Sequence, residues 1–97
     1  MEEITSRDNK KIKHIVQLYK RKYRTTHQEF VAEGYRTVMD ILPTGTVRYI
    51  IVNIESIKQE QLDLLLSLCD TYDVQVYSMS DNLWKGIETT VHGQGVI

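Results

Sequence analysis

The first periodic pattern of apolar residues predicts a helix. Ile12, Ile15, Val16 and Tyr19 follow one another at the spacing that places side chains on a single helical face. The pattern extends over about residues 9–23, and Ser6 or Asp8 precedes it as a candidate N-cap. Lysines and arginines occupy much of the remaining surface of this helix.

Alternating strands and helices are predicted after the first helix. Residues 29–33 are short, apolar and β-prone, and Gly34 permits a sharp exit into a second helix over 35–42. A turn at residues 43–45 leads to 47–52, a nearly continuous apolar run typical of a strand covered on both faces.

The second half of the chain predicts a third helix, another strand and a short helix. Ser56 and Gln59 have the spacing of a capping box, and apolar residues then recur at helical intervals: Leu62, Leu65, Leu66 and Cys69. Residues 73–77 are rich in β-formers, and Ser80 or Asp81 can cap a short helix. The chain ends on Val96-Ile97, so we expect it to stop within a strand and to be part of a longer protein.

This order of elements predicts the fold class. Strands separated by helices form α/β domains, in which helical crossovers make neighbouring strands parallel. We therefore expect a small layered domain with a mostly parallel sheet flanked by helices. Its 97 residues suffice for one domain.

Amino-acid composition further restricts the class of protein. Hydrophobic residues make up 41% of the chain and charged residues 26%, which is ordinary for a globular protein. The single cysteine, Cys69, excludes an intramolecular disulfide and fits a reducing compartment. No apolar stretch approaches the roughly 20 residues that span a bilayer, and no signal peptide is recognisable. We expect a cytoplasmic protein without a membrane partner.

Charge is distributed very unevenly along the chain. Residues 1–24 carry eight of the twelve lysines and arginines against three acidic residues, a net charge of +5. Residues 25–97 carry four basic and ten acidic residues, a net charge of −6. The sequence thus divides into a basic helical arm, residues 1–28, and an α/β body, residues 29–97. Such polarity indicates an anionic partner, most often a nucleic acid.

The basic arm is a candidate RNA-binding segment. Its cations have few acidic residues four positions away, and they interleave with Tyr19 and Tyr23, which can stack on bases. RNA is favoured over DNA because no helix-turn-helix or zinc module accompanies them. The alternative interpretation is a solvated helix face, and the tyrosines can equally pack inside. The candidate contacts are Lys10, Lys11, Lys13, Lys20, Arg21, Lys22 and Arg24.

Catalytic and metal-binding patterns are absent from the sequence. The three histidines have no partner at metal-ligand spacing, and no catalytic triad, phosphate loop or dinucleotide-binding turn is present. We therefore predict no catalytic and no metal-binding residue. Glu33 has two interpretations, as a cap of the second helix or as a substrate contact.

A more specific pattern links both ends of the chain. Asn9 on the first helix, the run Phe30-Val31-Ala32-Glu33-Gly34-Tyr35-Arg36 and the C-terminal Gly93-Gln94-Gly95-Val96 occur in this order. The sequence resembles the N-terminal part of SpoU-type (TrmH-type) RNA 2′-O-ribose methyltransferases. The residues that carry the family motif are Asn9, Glu33, Gly34, Gln94 and Gly95. One departure is Gly93, which stands where the family often has proline.

The resemblance implies an RNA substrate-binding domain with a fold similar to the kink-turn-binding ribosomal proteins. It implies that Arg36 lies near the target nucleotide. In this family such a domain presents ribosomal or transfer RNA to a following catalytic domain, which binds S-adenosylmethionine and forms homodimers. That domain is absent from this chain, so we expect no catalysis and no cofactor here. The alternatives are a freestanding RNA-binding module and a protein-interaction domain.

Overall fold

The computed structural model describes residues 1–86, which form three strands and five helices. The strands are β1 (Glu2–Glu3), β2 (Tyr49–Asn53) and β3 (Gln75–Met79). The helices are α1 (Lys10–Leu18), α2 (Arg21–His27), α3 (Tyr35–Ile41), α4 (Gln59–Tyr72) and α5 (Asp81–Lys85). A short 3-10 turn, Leu42–Thr44, follows α3.

The three strands form a parallel sheet in the order β1-β3-β2. Tyr49 pairs with Gln75 at one end of the β2–β3 ladder, and Asn53 pairs with Met79 at the other. Helix α4 makes the crossover between these two strands, as parallel pairing requires. The predicted α/β class and parallel sheet are confirmed.

Helices cover both faces of the sheet because the side chains of β2 alternate between them. Ile51 packs on one side in a cluster with Ile4 after β1 and with residues of α1, β3 and α5: Ile12, Ile15, Met79 and Trp84. Ile50 and Val52 pack on the other side with residues of α3, the 3-10 turn, α4 and β3: Val38, Leu42, Leu62, Leu65, Cys69 and Val76. The continuous apolar run at 47–52 correctly indicated a strand covered on both faces.

The predicted first helix is wrong in its length, because the chain breaks it in two. Helix α1 ends at Leu18, and Lys20 adopts an extended conformation before α2 begins. The predicted cap is also wrong: the side chain of Asn9, not that of Ser6 or Asp8, accepts a hydrogen bond from the Lys11 amide at 2.8 Å. The predicted basic helical arm therefore consists of strand β1 and two short helices, and its apolar residues belong to the core of the α/β body.

Two further predictions are corrected by the structure. Residues 29–33 are not a strand; they run outside the three-stranded sheet. The predicted capping box is not formed, since Lys58 is the N-cap of α4 and the Ser56 hydroxyl donates to the Asn53 carbonyl instead. Ser80 does cap α5, with its Oγ accepting from the Leu83 amide at 3.2 Å. The predicted terminal strand at residues 96–97 lies outside the described residues.

Candidate nucleic-acid interface

Five of the predicted RNA contacts are exposed on α1, on α2 and at the N-cap of α2, and we call them the basic surface: Lys10, Lys13, Lys20, Arg21 and Lys22. The ion pairs found within residues 1–86 join His14 and Arg48 to Glu29, and Lys85 to Asp81. None of them neutralises the basic surface, so its positive charge faces solvent. An exposed group of cations of this kind attracts polyanions.

Lys11 is partly buried and holds α1 against the sheet. Its ammonium group lies 5.1 Å from the ring centre of Tyr49 and 4.9 Å from that of Tyr77. The Tyr49 hydroxyl donates to the Lys11 carbonyl at 2.9 Å, and burial raises the pKa of Tyr49 to about 12. The structure gives Lys11 a packing role, and its contact with RNA stays a prediction.

Arg24 stabilises the break between α1 and α2. Its Nη1 donates to the carbonyl of Leu18 at 3.1 Å and to that of Tyr19 at 2.9 Å. These carbonyls lie at the end of α1, where helix acceptors lack partners within the helix. Arg24 thus fixes the angle at which α2 presents its cations, and direct phosphate contact by Arg24 stays a prediction.

Aromatic rings connect α2 with α1. The Lys22 ammonium lies 5.0 Å from the centre of the Tyr23 ring, which stacks on the ring of His27 at 6.5 Å. The His27 ring meets the His14 ring edge-on at 5.0 Å. No sequence pattern indicated that His14 and His27 are neighbours, because only the turn between the helices brings them together.

A charged network continues from His14 to the edge of the sheet. Nε2 of His14 lies 2.7 Å from one carboxylate oxygen of Glu29, and Nη1 of Arg48 donates to the other at 2.5 Å. Burial opposes ionisation of Glu29, but these two hydrogen bonds outweigh it and lower the pKa of the carboxyl. Sequence reasoning identified neither His14 nor Arg48 as part of a site.

The network borders a cavity of about 220 Å³, which we call the edge cavity. It lies between α1, α3, residues 28–32 and residues 46–50. Strand β2 is an edge of the sheet within the described part of the chain. Residues 29–32 of the segment predicted as a strand therefore line a cavity beside β2.

The family-motif residues take several positions around this region. Burial raises the pKa of the Tyr19 hydroxyl. The hydrogen bond between Tyr19 and Glu33 and the negative charge of Glu33 raise it further. Gly34 is the N-cap of α3 with φ 95°. Asn9 caps α1, whereas Gln94 and Gly95 lie outside the described residues.

Arg36 is exposed but separate from the basic surface. It lies on α3, which packs in the hydrophobic cluster on the opposite face of the sheet from α1. It borders a second, shallow depression together with Tyr35, Met39, Asp40 and Gln61. The structure does not bring Arg36 together with the lysines, and its place near a target nucleotide stays a prediction.

Residues 1–86 contain no group of three or more histidine, cysteine or acidic side chains placed to hold a metal ion. None of the helices in this range is long and apolar enough to cross a bilayer.

The described residues thus form an α/β domain with a parallel sheet, helices on both faces and an exposed basic pair of helices. The family model described as the MRM3-like substrate binding domain matches residues 9–97. The chain belongs to this family, which confirms the prediction of a substrate-binding domain.

Among solved structures, the chain is similar to the crystal structure of an rRNA methyltransferase from Sinorhizobium meliloti. The TM-score is 0.74, the sequence identity is 23%, and the similarity covers 98% of this chain. It covers 34% of the other chain, so this chain spans about a third of that protein's length. This similarity supports the fold. No curated protein sequence matches the chain.

Proposed function

We propose that this domain binds ribosomal RNA and is the RNA-recognition part of an S-adenosylmethionine-dependent 2′-O-ribose methyltransferase of the SpoU type. The observation that carries the proposal is the basic surface on α1 and α2, whose exposed cations form no ion pair with acidic residues within residues 1–86. Cations on flexible side chains contact phosphates and give affinity with little sequence preference.

The family match and the structural similarity support the proposal that this domain is part of an enzyme. The family is that of a substrate-binding domain, and a protein of similar fold and about three times the length is an rRNA methyltransferase. The motif residues named in the sequence analysis add the SpoU type and the 2′-O position. Cytoplasmic location and homodimerisation through the catalytic domain are further parts of the proposal.

Methyl transfer is assigned to a separate catalytic domain. The reaction needs a ribose hydroxyl, a proton acceptor and the methyl donor held together in one geometry. We expect calorimetric titration of this chain with S-adenosylmethionine to show no binding heat. Saturable binding to this chain alone would contradict the division of labour.

Reversing charge on the basic surface should weaken RNA binding. In Lys20→Glu/Arg21→Glu, two candidate phosphate contacts become repulsive, and we expect affinity for an rRNA fragment at about 0.1 M salt to fall at least ~10-fold. The slope of log affinity against log salt concentration should flatten by roughly 1 to 1.5, since each lost phosphate contact contributes about 0.7. Negative charge at the start of α2 interacts favourably with the helix dipole, so we expect this variant to fold.

The matched control changes net charge equally, elsewhere on the surface. Lys58→Glu/Lys85→Glu reverses two exposed lysines outside α1 and α2. Filter binding or fluorescence anisotropy over a salt series should show this variant close to the wild type. Equal losses in both variants would mean that overall charge, rather than the basic surface, governs binding.

A further inference from the structure

The edge cavity has the size and lining of a site for one planar ring. Its volume of about 220 Å³ is below the roughly 300 Å³ at which pockets for drug-sized ligands begin. Its walls are mainly apolar and come from both helical layers and from β2: Ile15, Leu18, Val38, Ile41, Val47 and Ile50. A single heteroaromatic ring system suits such a space better than a whole nucleotide.

An exposed aromatic ring lies at the edge cavity. Phe30 lines it, yet its side chain is 73% exposed, the highest value among the exposed large hydrophobic residues of the described chain. A phenyl ring left in water beside an apolar cavity gains contact area when a flat partner stacks on it. Stacking of nucleobases on aromatic side chains is a general mode of RNA recognition.

Polar groups at the cavity match the edge of a base. Gln28 and Arg48 both line it and are exposed, so an amide and a guanidinium are available for hydrogen bonds. The Glu29 carboxylate faces the same region, but each of its oxygens already interacts with His14 or Arg48. Its negative charge is therefore compensated and opposes an incoming phosphate less than a free carboxylate would.

Ring contacts connect the basic surface with the cavity. They run from Lys22 through Tyr23 and His27 to His14, which lines the cavity. A strand held by its phosphates at α2 would therefore lie near the cavity. We propose that the edge cavity binds one unpaired nucleobase of the RNA, with Phe30 stacked on it; this inference rests on the proposed RNA-binding function.

The test separates the base from the phosphates. One probe is a hairpin RNA with a loop of adenines, and the other is the same hairpin with abasic riboses in the loop. The wild-type chain should bind the adenine loop roughly 5- to 100-fold more tightly, the range for one stacked base. Phe30→Ala should remove most of that preference while leaving affinity for the abasic hairpin unchanged.

Two other variants complete the design. Leu64→Ala removes a comparably exposed apolar side chain, 59% exposed, from α4 and should keep the preference. Ala32→Leu adds volume at the cavity wall and should reduce the preference as Phe30→Ala does, with circular dichroism confirming the fold.

Each outcome decides a different claim. Equal wild-type affinity for both hairpins would overturn the nucleobase site and leave the proposed RNA-binding function intact. A preference that survives both Phe30→Ala and Ala32→Leu would also overturn it. Failure to bind either hairpin in dilute salt would remove the proposed function and this inference together.

Discussion

Leu65→Ala is expected to destabilise the domain by about 2 to 5 kcal/mol. Leu65 on α4 is completely buried, and it packs in the cluster between α4, α3 and the sheet with Val38, Leu42 and Val52. The substitution removes an isopropyl group, which loses apolar burial and leaves a cavity that the neighbouring β-branched side chains fill poorly. Urea unfolding followed by circular dichroism measures the loss as a lower midpoint at an unchanged slope.

The adjacent residue provides a matched control for this prediction. Leu64 is 59% exposed on the same helix, so Leu64→Ala makes the same chemical change with little lost burial. We expect its effect to stay within about 0.5 kcal/mol. Similar midpoints for the two variants would show that α4 does not pack on the face described here. If Leu65→Ala is too unstable to measure, Leu65→Val should show a smaller loss in the same direction.

Gly34→Ala is expected to destabilise the domain by about 1 to 3 kcal/mol. Gly34 has φ 95° and ψ 144°, a combination that a residue with a Cβ adopts only under strain. It is buried and is the N-cap of α3, so the backbone there cannot relax without moving that helix. For a domain of this size the melting temperature should fall by roughly 4 °C or more.

Thr37→Ala is the control for the glycine substitution. Thr37 is exposed on α3, and alanine there keeps the ordinary helical backbone. Its melting temperature should remain close to that of the wild type. If Gly34→Ala melted at the same temperature as Thr37→Ala, the positive φ at residue 34 would not exist in solution.

Much of the fold was predictable because individual segments carried strong local patterns. The apolar run at 47–52 indicated β2 buried on both faces, and the spacing of Leu62, Leu65 and Cys69 identified the inward face of α4. Ser80 was recognisable as a cap from its position before a short helix. In these segments local preference and final packing agree, so sequence reasoning was reliable.

The candidate interface was predicted only in part. The cations of the basic surface were evident from the sequence, but their division between two helices was not. The apolar periodicity continued through Tyr19, while the break is stabilised by the Arg24 guanidinium, which donates to carbonyls five and six residues earlier. The β-prone run at 29–33 was predicted as a strand, yet it lies beside the free edge of β2 without joining the sheet, and a cavity separates the two segments.

The sequence by itself determined the α/β class, the parallel connections, the charge polarity and membership in a substrate-binding family. These properties depend on composition, on the spacing of apolar residues and on local motifs, all of which can be recognised in consecutive residues. Tertiary structure alone decided that His14, Glu29 and Arg48 meet, that Lys11 packs on two tyrosines, and that a cavity lies beside β2. Contacts between residues 15 or more positions apart depend on how helices and sheet pack, and no local pattern encodes that packing.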